Sequence, residues 1–198
     1  DDESNVRTPN VTLAKARTTS ISETGNSGTS QATIGELINY TVTATLPHGT
    51  TFGTNAKITD TPNSATTQPL TGPATATLNG APLPAGWSIT TVGQLITVNI
   101  PDGYVVPAGS NHTVVISFQT RVTDVAANVR GQNRTNRANI SWTDSTPRSR
   151  NSNTVSTTIV EPLIAQNKSN NKSSNATPGD TVTYTLVTSN SNAGNVSI

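Results

Sequence analysis

Lys15 is the residue least in keeping with its neighbours. It shares strand parity with Val11 and Leu13, whose side chains read as inward, so the alternation places an amine on an apolar face. Burial disfavours the ammonium and leaves a neutral amine, which is a nucleophile. The same parity picks out two carboxamides. Asn136 is in phase with Ala138, Ile140 and Trp142, and Asn153 is in phase with Val155, whereas Asn139 falls on the solvent side. An inward amide without a partner is costly, which marks Asn136 first and Asn153 second. Two acids complete the set: Asp60 on the face of Ile58, and Glu36 beside the turn at Gly35. Each of these residues also has an ordinary reading. Lys15 could lie on an edge strand and snorkel to water, the asparagines could cap turns, and the acids could be solvated.

Other chemistries find little support. His48 lies in a turn and His112 just before a strand. With no cysteine and no HExxH spacing, the pair does not suggest a zinc site. No G-x-S-x-G elbow accompanies the many serines, and no EF-hand loop is present, so neither hydrolase chemistry, calcium nor any other cofactor is expected. Arg130, Arg134, Arg137, Arg148 and Arg150 read as a solvated face, with Arg134 and Arg148 in loops and Arg137 on an outward strand position.

The elements that must position these groups are strands. From Ile38 to Leu46, apolar and polar residues alternate strictly. The period recurs at Ile96 to Ile100, Val114 to Val122 and Ala138 to Trp142. Shorter candidates are Val11 to Ala16, Ala56 to Thr61, Ala74 to Leu78, Trp87 to Thr91 and Thr154 to Val160. Turns such as Pro47-His48-Gly49, Pro101-Asp102-Gly103 and Pro107-Ala108-Gly109 separate them. Some nine short strands with such punctuation predict an all-β, immunoglobulin-like β-sandwich.

Composition narrows the setting. Charged residues make up only 12% and hydrophobic residues 31%, so Thr, Ser and Asn carry the surface. A net charge of +1 gives no field to attract nucleic acid, and two Trp, three Tyr and two Phe are too few for a stacking platform. No apolar run is long enough for a membrane-spanning helix. The opening Asp1-Asp2-Glu3-Ser4 is neither a signal peptide nor an initiator, which reads as a segment cut from something longer. Zero cysteines mean that an extracellular domain of this kind draws its stability from core size or from another crosslink.

The sequence also repeats itself. Ala32-Thr33-Ile34-Gly35-Glu36-Leu37-Ile38-Asn39-Tyr40-Thr41 aligns with Ala176-Thr177-Pro178-Gly179-Asp180-Thr181-Val182-Thr183-Tyr184-Thr185. Pro9 and Lys15 align with Pro162 and Lys168, and Asn55 to Ile58 resembles Asn195 to Ile198. The expected organisation is an N-terminal extension (1–9), a complete module (10–160) and the first strands of a truncated second copy (161–198). Those last strands are expected to lean on the first module or to add to the edge of another chain.

Gly35 to Val42, Ile58-Thr59-Asp60-Thr61-Pro62, Asn136 to Trp142 and Ser152-Asn153-Thr154-Val155 occur in an order that resembles the DUF11-like conserved-repeat domains of bacterial surface proteins and the related isopeptide-forming D2 domains of fimbrial proteins. The resemblance spans roughly Asn10 to Val160 and resumes from Pro162. It implies that Lys15 condenses with Asn136, or alternatively Asn153, assisted by Asp60 or Glu36, to give an internal amide and ammonia without any cofactor. It also implies an extracellular, cell-surface or cell-wall location and a stalk or spacer role in a repetitive adhesin or fimbria-like protein. Catalysis would go no further than that single autocatalytic turnover. Neighbouring repeats are the expected partners, with other copies reached by strand addition. The alternative role is a module that binds host glycan or protein through loops such as Thr61 to Gly72 or Pro82 to Trp87. Neither a sortase-type sorting motif nor a pilin-type tyrosine-proline-lysine triplet is present, so pilus polymerisation is not expected of this segment.

Overall fold

The computed structural model describes residues 10–23, 25–162 and 164–190. The extension 1–9 and the resemblance at Asn195 to Ile198 lie outside them. Seventeen strands and no helix form from the described residues. In chain order they are β1 (Thr12–Thr19), β2 (Gln31–Ala32), β3 (Leu37–Leu46), β4 (Thr51–Phe52), β5 (Thr54–Asp60) and β6 (Thr75–Leu78). There follow β7 (Ala81–Pro82), β8 (Ser88–Val92), β9 (Leu95–Asn99), β10 (Tyr104–Val105), β11 (His112–Arg121) and β12 (Asn133–Asn136). The last are β13 (Ala138–Thr143), β14 (Pro147–Asn151), β15 (Val155–Ile159), β16 (Ile164–Asn170) and β17 (Tyr184–Asn190).

The fold is the expected all-β, immunoglobulin-like sandwich. One sheet runs β1-β3-β11-β6-β7 and the other β14-β13-β5-β9-β8, and their inward residues merge in a single core. In β3 every even-numbered residue from Ile38 to Leu46 is buried, and β13 does the same with Ala138, Ile140 and Trp142, because a pleated strand sends alternate side chains to opposite faces. A third, three-stranded sheet, β12-β15-β2, closes one side, with β15 parallel to β2.

Two features escaped the alternation. Strand β14 carries no inward apolar residue and is exposed throughout, so Arg148 lies on an edge strand and not in a loop; Arg134 likewise belongs to β12. The run ending at Asn136 also leaves one sheet and enters another. Strand β12 pairs with β15, Arg137 turns the corner, and β13 pairs with β5 from Ala138 onward.

Strands β16 and β17 pair with each other and with no other described strand, and every residue of β16 is exposed. Of the two placements expected for them, leaning on the sandwich is not seen among the described residues. Their register nonetheless repeats that of β1 and β3. Lys15 faces Val42, two residues after Tyr40, and Lys168 faces Leu186, two residues after Tyr184. The preceding turn repeats as well. Gly35 and Gly179 have φ of 85° and 94°, and Thr33 and Thr177 donate their N–H to Glu36 and Asp180 at 2.9 and 2.8 Å.

Candidate functional site: a buried lysine, aspartate and asparagine

Lys15 projects from the middle of β1 into the core, and its side chain is wholly buried. Its amine lies 4.7 Å from the ring centroids of both Tyr40 and Phe118, which stack on each other at 5.1 Å. These rings come from β3 and β11, adjacent in the same sheet, because Tyr40 and Phe118 are direct cross-strand partners. The snorkelling alternative is therefore not realised.

From the opposite sheet, Asp60 ends β5 with its side chain also fully buried and pairs with the Lys15 amine through Oδ2. Ala138 is the register partner of Asp60, so Asn136, two residues earlier, arrives at the same corner. It is 4% exposed and close enough to the Asp60 carboxyl to lower its pKa weakly, but no hydrogen bond of ordinary geometry is made by either atom of its carboxamide or by Asp60 Oδ1. Such orphaned amides are rare in folded cores.

Electrostatics in the pair is dominated by desolvation. Burial pushes the Lys15 amine below its ordinary pKa, opposed by the charge and hydrogen bond of Asp60. Burial likewise pushes the Asp60 carboxyl up, opposed by Lys15 and, to a smaller extent, by the adjacent Asn136. Both shifts favour the neutral amine and the neutral acid. Tyr40 is pushed up to about 12 by burial and stays a neutral phenol.

The other two candidates sit elsewhere. Glu36 is buried beyond the far end of β1, where its carboxylate accepts the N–H of Ile21 at 2.7 Å, Asn26 Nδ2 at 2.8 Å and the N–H of Thr33 at 2.9 Å. It organises that loop and is not brought to Lys15. Asn153 does reach Lys15, but through the main chain: its Oδ1 accepts the Lys15 N–H and its Nδ2 donates to the Lys15 carbonyl, each at 2.8 Å. Both ends of its amide are thus engaged, and Asn153 is exposed and not inward as expected, because the chain from Ser152 to Thr154 forms no strand and the alternation of Val155 does not extend back to it. Sequence parity missed Phe118 and Tyr40 as walls of the site, although both alternate inward on strands it had identified.

The loop aromatic expected to face a ligand is not available, since Trp87 is 8% exposed and packs edge-on against Tyr104 at 5.0 Å. Among the described residues no group of three or more His, Cys, Asp or Glu could hold a metal, and no helix is long and apolar enough to cross a membrane.

No protein-family model and no curated protein matches the chain. Solved structures do. BcpA, the major pilin subunit of Bacillus cereus, matches with a TM-score of 0.58 at 16% identity, over 79% of this chain and 42% of that one. The pilus backbone protein RrgB from Streptococcus pneumoniae matches with a TM-score of 0.53 at 13% identity, over 70% of this chain and 56% of that one. The N-terminal domain of the Streptococcus gordonii adhesin Sgo0707 matches at 0.51 and 15%, over 74% and 32%. The chain thus spans about half or less of the length of these proteins and shares with them its sandwich fold.

Proposed function

We propose that this chain is a structural stalk or spacer module of a surface-displayed, fimbria-like protein, locked by an amide between Lys15 and Asn136. The observation that carries this reading is the burial, at one corner of the sandwich, of an amine, an acid and an otherwise unpartnered carboxamide. A noncovalent core gains nothing from such a trio. Replacing a buried ion pair by apolar groups is often neutral or stabilising, and an orphaned amide costs free energy.

The reaction balances without a cofactor. The neutral Lys15 Nζ attacks Asn136 Cγ while the protonated Asp60 polarises the amide. The new N–C bond forms, the bond from Cγ to Nδ2 breaks, and Nδ2 leaves as ammonia. Asp60 supplies one proton to the departing nitrogen and recovers one from Lys15. The walls of Tyr40 and Phe118 exclude water that would keep the amine charged. Fixing the two reactants across a corner of the sandwich supplies the proximity. The resulting bond ties the first strand of the module to a late one, so tension along the chain passes through a covalent link. The pilin and adhesin folds support the surface setting.

Intact-mass spectrometry of the purified chain tests this directly. The expected mass falls short of the sequence mass by one ammonia, and Lys15→Ala restores the full value. A wild-type chain of full mass would remove the crosslink from the reading.

A further inference from the structure

We propose that Asn153 is a positioning residue for this condensation, within a segment, Ser152 to Val155, that spaces the reacting strands; the proposal rests on the crosslink reading above. Strand β1 is the edge of its sheet, and its ladder runs to β3 alone. At Lys15 the outward N–H and C=O are both taken by the carboxamide of Asn153, as a neighbouring strand's peptide group would take them.

The residues beside Asn153 grip the other partners. Ser152 donates its N–H to the carbonyl of Ala138 at 3.0 Å and accepts the Ala138 N–H on its hydroxyl at 3.0 Å. Ala138 in turn is the register partner of Asp60. Val155 is the register partner of Asn136. Four consecutive residues therefore touch the strand paired with that of the acid, the strand of the nucleophile and the strand of the carboxamide. Asn153 and Val155 are two residues apart in the chain, so the segment couples the placement of the Lys15 backbone to that of Asn136.

Further along, Arg17 repeats the attachment. Its Nε donates to Thr157 Oγ1 at 2.9 Å and its terminal nitrogens donate to the carbonyls of Ser156 and Thr29. Arg17 bonds from a side chain two residues away, so beyond the ladder to β3 it is Asn153 that bonds the main chain of Lys15 itself. The side chain of a lysine is long and adaptable. Its reach to Asn136 Cγ is reproducible only if the atoms from which it springs are held, and a misplacement of about 1 Å can cost on the order of 100-fold in rate.

The test follows ammonia loss by intact mass after cell-free synthesis. Asn153→Ala is expected to slow it by at least about 10-fold relative to the wild type. Asn153→Asp keeps the acceptor but sets a carboxylate oxygen against the Lys15 carbonyl, and is expected to be equally slow. Val106→Ala, a buried core variant beside the β4–β10 pair and away from the corner, serves as the stability control and should condense at the wild-type rate. Condensation of Asn153→Ala at the wild-type rate overturns the proposal, as does an equal slowing in Val106→Ala, which would make the effect one of general stability. A wild type that never loses ammonia removes the crosslink reading, and this role with it.

Discussion

Replacing Lys15 and Asp60 together by Met and Leu separates the covalent contribution from the electrostatic one. The proposed bond closes a loop of about 120 residues, and constraining a loop of that size stabilises by about 5 kcal/mol on the chain-entropy scale developed for disulfides. Both replaced side chains are wholly buried, and the substitutes are apolar and of similar volume. The pair itself should then be lost at no cost, or with a gain of about 1–4 kcal/mol. The double variant is expected to show the full sequence mass and a net loss of about 1–5 kcal/mol. At about 2–4 °C per kcal/mol for a chain of this size, its Tm falls by roughly 2–20 °C. Asp60→Ala behaves differently. It also loses the bond, and in addition leaves the Lys15 amine buried against two rings without its ion-pair partner, at a further cost of about 3–5 kcal/mol. Its Tm should therefore lie well below that of the double variant. Calorimetry paired with intact mass reads both quantities on the same samples. An Asp60→Ala protein that still lacks one ammonia refutes the acid role, and one that melts with or above the double variant refutes the account of the buried pair.

Asn136→Ala keeps the full mass and also removes an amide with no hydrogen bond of ordinary geometry, so its Tm should fall by little more than the covalent share, less than in Asp60→Ala by the same calorimetry. Glu36→Ala destabilises the loop before β3 by about 3 kcal/mol through loss of charge-assisted hydrogen bonds, yet its mass deficit should persist; restored mass would move the acid to Glu36. In Lys15→Met the Asp60 carboxyl loses the contact that lowers it and stays raised by burial. A raised folded-state pKa stabilises below the unfolded value, about 3.9, and that stability is lost as pH rises through the folded value. Denaturant midpoints of this variant should thus decline from acid to neutral pH, and a rise would contradict the burial of Asp60. Exposed Lys168 should acylate with an amine reagent under native conditions while buried Lys15 does not, as peptide mapping would show.

The strands were legible because alternation is local. A pleated strand with one buried face must repeat every two residues, and Ile38 to Leu46, Val114 to Phe118 and Ala138 to Trp142 do so without reference to the rest of the chain. The same rule placed Lys15, Asp60 and Asn136 inward. It could not see β14, whose five residues are exposed on both faces and carry no period, nor the change of sheet at Arg137, which leaves parity undisturbed while exchanging one pairing partner for another. Which inward groups meet is a question of sheet pairing and sheet packing, fixed by contacts between residues far apart in sequence. That is why parity left Asp60 and Glu36, and Asn136 and Asn153, as open pairs. The fold resolved their placement by bringing Asp60 and Asn136 to one corner, committing Glu36 to a loop, and turning the amide of Asn153 onto the backbone of Lys15.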